Sequence, residues 1–202
     1  MGYLKSHPAT KQEAQLQKVE QSAMHIILKA SEISKTVFKK KPPFSHSKQV
    51  SLDLMNLGTF VESYLVNQVG SAVGLNINFI KNRENIIKKI LEVGDIDVYI
   101  KGRADGRACA TYMIDDKLIR YDYIIEVKHL ITQTITNKEN IIQYYKPQVL
   151  SYNILYNLPV IFYAILRDGF IFEVFYYNEK EIDSFKKAIA DYVLSKSSTL
   201  RQ

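Results

Sequence analysis

At 202 residues and 47% hydrophobic content, the chain is long enough to bury one sizeable core and short for two. Its 27 Lys and Arg against 21 Asp and Glu give a net charge of +6, which suits a polyanionic partner without requiring one. A single cysteine, Cys109, excludes an intrachain disulfide and any four-cysteine metal or iron–sulfur site within one chain, and favours a reducing compartment.

No apolar run approaches the ~18 residues of a membrane span. The start MGYLKSHPATKQEAQ has no signal peptide's apolar stretch, so a cytoplasmic protein with no membrane partner is expected. Met1, Gly2 and Ser6 match a myristoylation pattern that is too short to carry an expectation of lipidation. The charge is uneven: residues 1–60 hold nine Lys and four acids, and residues 61–202 hold 18 bases and 17 acids. The division expected is therefore a basic amino-terminal segment, 1–50, joined to a near-neutral body, 51–202, that keeps an acidic site.

In chain order, Leu16, Val19, Ala23, Ile26, Ile27 and Ala30 recur at mostly three and four residues, predicting an amphipathic helix from Lys11 to about Lys35. The stretch TVFKKKPPFSHSKQVS reads as a loop, and Lys39, Lys40 and Lys41 within it are candidate contacts to a phosphate backbone. Helices are expected at about Leu52–Val69 and Ile80–Leu91. After Gly94 the period becomes two, predicting a strand through Ile96, Val98 and Ile100. A second strand, Ile119–Lys128, follows a turn at Asp115, Asp116 and Lys117, and the two strands are expected to pair as a hairpin. Next come a helix over Pro147–Tyr156 with the proline in its first turn, two apolar strands joined at Arg167, Asp168 and Gly169, and a closing helix, Glu179–Leu194. The class implied is α/β or α+β, a sheet flanked by helices.

Chemistry concentrates on YDYIIEVKH, where strand alternation gives Glu126 and Lys128 a shared face. An isolated pair of this kind is usually a solvated strand edge, since burying it costs roughly several kcal/mol per ion. KGRADG adds Asp105, 21 residues before Glu126, and two converging carboxylates would suit a hard divalent cation. Simple alternation from Ile100 turns Asp105 away from the core, so convergence calls for a bulge near Gly102 or Gly106. Asp95 and Asp97 are rivals, better read as outward strand charges. Gln148 and Tyr152, and Gly58 and Glu62, stand four apart and so share helix faces. Tyr144, Tyr145, Tyr152 and Tyr156 could stack bases, although such stripes usually belong to a core.

In order, these pairs read G-x3-(H/E), G-x-x-D, E-x-K and Q-x3-Y: Gly58 to Glu62, Gly102 to Asp105, Glu126 to Lys128, and Gln148 to Tyr152. The series resembles that of the RecB-like PD-(D/E)XK nucleases, closest to the small exonucleases associated with CRISPR adaptation and their archaeal and viral relatives. The resemblance spans about half the chain. It implies a restriction-endonuclease-like core with a mixed sheet of about four strands. It also implies Mg²⁺ or Mn²⁺ held by Asp105, Glu126 and the Val127 carbonyl, Lys128 completing the catalytic set, and Gln148 and Tyr152 lining the site towards substrate. Glu62 stands where that branch usually has histidine and is read as a third metal-binding carboxylate. The cysteines that hold an iron–sulfur cluster in many such relatives are missing, so no cluster is expected.

The activity expected is metal-dependent hydrolysis of DNA, on single strands or free ends, as exonuclease or endonuclease. Alternatives are a structure-specific endonuclease such as a junction resolvase, and a non-catalytic DNA-binding protein on a nuclease scaffold. The latter would have no reason to keep Asp105, Glu126 and Lys128 together.

Overall fold

The structure, a computed structural model, describes residues 24–43, 80–81, 85–130, 137–167 and 169–200. The expected helix carrying Gly58 and Glu62 lies outside them. Eight strands are described: β1 (His25–Lys29), β2 (Ile80–Lys81), β3 (Ile86–Val93), β4 (Ile96–Gly102), β5 (Gly106–Ile114), β6 (Lys117–Leu130), β7 (Val160–Leu166) and β8 (Gly169–Phe175). Three helices accompany them: α1 (Ile33–Thr36), α2 (Lys138–Tyr156) and α3 (Glu179–Leu200). The strands form a three-stranded sheet, β1-β4-β3, and a five-stranded sheet, β2-β5-β6-β7-β8. Both are mixed: β1 runs parallel to β4 and β6 parallel to β7, while the other neighbours are antiparallel. The fold is α+β, with mixed sheets flanked by helices.

Two segments expected to be helical are strands. His25–Lys29 is β1, and Ile86–Val93 is β3, paired along its length with β4. Both are short and rich in Ile, a composition that serves either state, and pairing with β4 decides the matter. The hairpin also differs from expectation. β6 pairs with β5, not with β4, across a two-residue turn in which Asp115 (φ 49°) and Asp116 (φ 59°) are left-handed, as a primed turn requires.

α2 begins at Lys138, nine residues before the expected start, because Asn137 caps it by accepting from the Glu139 N–H at 2.8 Å. Pro147 therefore lies inside the helix, where its missing N–H frees the Gln143 carbonyl. The Lys40 ammonium donates to that carbonyl. Burial of Ile141, Val149, Leu150, Tyr152, Ile154 and Leu155 marks a helix enclosed on most sides. α3, longer than expected, buries a stripe, Ile182, Phe185, Ile189 and Val193, among its described side chains. α2 and α3 share one core with Leu28, Ala30 and Ile33 near the amino end and with Ile124, Phe162 and Ala164 of the larger sheet. Among the described residues, no helix is long and apolar enough to cross a membrane.

Asn153 locks the end of α2 to the sheet. It is fully buried, and its Nδ2 donates to the carbonyls of Leu158 (2.8 Å) and Phe175 (3.2 Å). Asn153→Ala leaves two buried acceptors unmatched and should cost about 1–3 kcal/mol for each carbonyl that finds no water. Denaturant unfolding measures the loss, and a variant within a few tenths of a kcal/mol of the parent would contradict it.

Candidate active site

The two sheets meet where β4 ends at Gly102 and β5 begins at Gly106. Asp105 lies in this crossing, which breaks the alternation that would have turned it outward. The carboxylates converge through a change of sheet rather than a bulge. β5 pairs with β6 only as far as Gly106 opposite Ile125, so among the described residues the edge of β6 beyond that point has no strand partner on the β5 side. Asp105 takes over there: its Oδ2 accepts the Val127 N–H at 2.7 Å. The N–H and C=O of one strand residue leave the same edge, as the paired bonds of an antiparallel ladder require, so the Val127 carbonyl also faces that edge.

Glu126 is 1% exposed. Its Oε1 accepts from the Lys128 ammonium and from Gln148 Nε2, the latter at 2.6 Å. Its Oε2 is buried with no hydrogen-bond partner among the described residues. The same Gln148 nitrogen lies 3.0 Å from the Tyr152 hydroxyl, which donates to the Arg103 carbonyl at 3.1 Å. The chain through the crossing is thus tied to α2, and a further tie runs from the Ala104 N–H to the Tyr156 hydroxyl at 3.2 Å. The alternation on β6 and the four-residue spacing on α2 bring Glu126, Lys128, Gln148 and Tyr152 together. Two further participants were read in the sequence only as candidate stacking residues on a stripe that usually belongs to a core. Tyr145, whose ring lies 5.4 Å from the Lys128 ammonium, and Tyr156 fall on the Gln148–Tyr152 stripe at spacings of three and four.

Gly102 owes its place to close packing. A Cβ there would stand 2.8 Å from the Ala30 Cβ and 3.1 Å from Tyr152 Cε1, so only glycine lets the crossing approach α2. Of the rival acids, Asp97 forms a surface ion pair with Lys89 at 2.5 Å. The Lys40 ammonium is engaged by α2, and Lys39 and Lys41 are exposed.

With both carboxylates ionised and Lys128 protonated, the cluster carries one uncompensated negative charge. Burial, and then Asp105 beside it, push the Glu126 carboxyl up to about 8 despite Lys128. Burial alone would drain the Lys128 proton, but Glu126 and Asp105 hold its ammonium above its ordinary value. Burial, and then Glu126, also raise the Tyr152 hydroxyl. The site therefore retains a proton at neutral pH or takes up a cation in its place. The residues fit a hard divalent cation: Oε1 of Glu126 is saturated, its Oε2 is orphaned, and Asp105 and a strand-edge carbonyl lie alongside.

No protein-family model matches the sequence. No curated protein matches it either. Among solved structures, the crystal structure of SSO0001 is similar, with a TM-score of 0.52 and 18% identity over 94% of this chain and 88% of that one. An alkaline exonuclease (LHK-Exo) from Laribacter hongkongensis has a TM-score of 0.47 and 11% identity over 86% of this chain and 89% of that one. The likeness to SSO0001 is one of fold.

Two predictions follow from the geometry. A carboxyl raised from its ordinary 4.5 to about 8 binds its proton more tightly in the folded protein, so metal-free stability falls as pH rises between those values. Glu126→Gln lacks this titration. In chelator its melting temperature should therefore gain on the parent's between about pH 5 and 8, and a constant difference across that range would refute the shift. Gly102→Ala should destabilise by about 1–3 kcal/mol through overpacking, read by denaturant unfolding. It should also reduce any metal affinity of the site by displacing Tyr152, read by calorimetry with Mn²⁺.

Proposed function

We propose that this chain is a divalent-metal-dependent nuclease with a restriction-endonuclease-like core of the RecB-like PD-(D/E)XK type. It would hydrolyse DNA phosphodiester bonds in single strands or at free ends. The observation that carries the reading is the convergence of Asp105 and Glu126 beside Lys128, with Glu126 Oε2 unpartnered. Lys128 and Gln148 both act on Oε1, and a second carboxylate, Asp105, stands beside Glu126. A carboxylate saturated on one oxygen and orphaned on the other is an incomplete coordination set. The order of the four sequence motifs supports the same reading.

Asp105, Glu126 and the Val127 carbonyl would hold Mg²⁺ or Mn²⁺, with Glu62 proposed as a third carboxylate. When bound, the metal supplies Lewis-acid and water-activating chemistry. The chain's own residues do the rest. Gln148 fixes the Glu126 carboxylate by its Oε1 and so aims Oε2. Lys128 keeps its proton, and its side chain, 22% accessible, can donate to a phosphate oxygen as negative charge grows there. Tyr152 holds the crossing that carries Asp105. Gln148 and Tyr152 are too buried in this structure to reach far towards a strand, so positioning is the role proposed for them.

The test is to incubate end-labelled and circular DNA, single- and double-stranded, with Mg²⁺, Mn²⁺ or chelator. Metal-dependent cleavage is expected, and products from circles would identify endonuclease action. Asp105→Ala should abolish cleavage while the protein stays folded. Lys128→Ala should slow it by ~10²-fold or more, the scale of losing one preorganised donor at a transition state. Cleavage undiminished in both variants would remove these residues from the site.

A further inference from the structure

A hollow of about 340 Å³ opens between α2, α3 and the segment after α1. Its apolar lining is Phe38, Pro147, Leu150 and Phe185, with Phe38 stacked on Phe185 at 5.7 Å and 16°. Lys40, Lys146 and Lys180 also line it, with one acid, Glu181, and Ser184. Lys40 is shared with a neighbouring hollow of about 310 Å³, lined in addition by Lys41 and Tyr144. The Tyr144 ring packs edge-on against Tyr145 at 4.9 Å, and Tyr145 lies beneath the Lys128 ammonium. The second hollow therefore reaches Tyr144, one ring away from the tyrosine under Lys128.

Charge decides the occupant. Of these lysines, among the described residues, only Lys146 has a carboxylate partner, Glu181 at 2.8 Å. Lys40 is held below its ordinary value, first by burial and then by Lys146. An uncharged apolar occupant would desolvate these ammonium groups further with nothing to offset them. A flat apolar group carrying an anion matches both the lining and the charge, and the volume lies in the range of small-ligand pockets.

We propose that this hollow seats one nucleotide of the substrate strand, its base against Phe38, Pro147, Leu150 and Phe185 and its phosphate towards Lys40 and Lys180. The proposal rests on the nuclease reading for the identity of the strand, but binding can be measured without cleavage.

The experiment is the affinity of a fluorescent single-stranded oligothymidylate, in chelator, over a series of salt concentrations. It compares the parent protein with Ser184→Trp, which fills the hollow from an exposed position, and with Lys180→Glu, which reverses an exposed charge. Melting curves check that both variants are folded. Each should bind about tenfold or more weakly, within the ~1–3 kcal/mol attributed to one stacked base. Lys180→Glu should also lower the slope of log affinity against log salt by roughly 0.7, the share of one phosphate contact on a single strand, whereas Ser184→Trp should leave that slope unchanged. Parent-like binding by both variants would overturn the proposal. Weakening by Lys180→Glu alone would also overturn it, since a diffuse field needs no seat. A parent that cleaves DNA while both variants bind normally would refute the seat and leave the nuclease reading standing. A parent that never cleaves would refute the nuclease reading without touching the binding result.

Discussion

The burial of the Glu126 carboxylate is the constraint on which the rest of the site depends. Stripping a carboxylate of water costs several kcal/mol even after relaxation, and here Asp105 adds repulsion. Lys128 offsets part of the charge and Gln148 supplies a neutral donor, but both act on Oε1. The other oxygen is left in a dry environment beside a second carboxylate and a strand edge without a β5 partner. An arrangement this costly is poor structural glue, which is the ground on which a hard cation is proposed to bind there.

That constraint reaches outward through α2. Gln148 can meet Glu126 only if the helix lies close over the larger sheet, and Tyr152 can hold the Arg103 carbonyl only if Gly102 presents no side chain. A single helix face thus positions both the carboxylate on β6 and the crossing that carries Asp105. The Ser34 hydroxyl donates to the Tyr144 carbonyl at 2.6 Å, and Lys40 serves the carbonyl that Pro147 leaves free. The segment around α1 is therefore bound to the same helix from another side. This second set of contacts shapes the basic, apolar-lined hollow, so hollow and carboxylates are built on opposite flanks of one rigid element.

Local geometry was legible in the sequence. Side chains alternate along a strand and return every three to four residues on a helix, so Glu126 with Lys128 and Gln148 with Tyr152 could be assigned shared faces without knowing what lay opposite. Turn chemistry was equally local: two acids able to adopt a left-handed backbone made Asp115 and Asp116 readable as a hairpin turn. The order of motifs implied the fold class, and the α+β architecture agrees with it.

Partnership was not legible, because it depends on residues distant in the chain. HIILK and IIKKILEV carry spacing compatible with either a helical face or a strand, and pairing with β4 decided in favour of strands. GRACATYMI, unassigned from its sequence, became the partner of β6, where a hairpin with Ile96–Gly102 had been expected. Pro147, a reasonable first-turn residue by local rules, sits mid-helix because a lysine over one hundred positions earlier satisfies the carbonyl it strands. The position of Asp105 is the clearest case. Strand alternation turned it outward, and only the passage of the chain from one sheet to another, which no local period encodes, brought it to the backbone of Val127 and the side of Glu126.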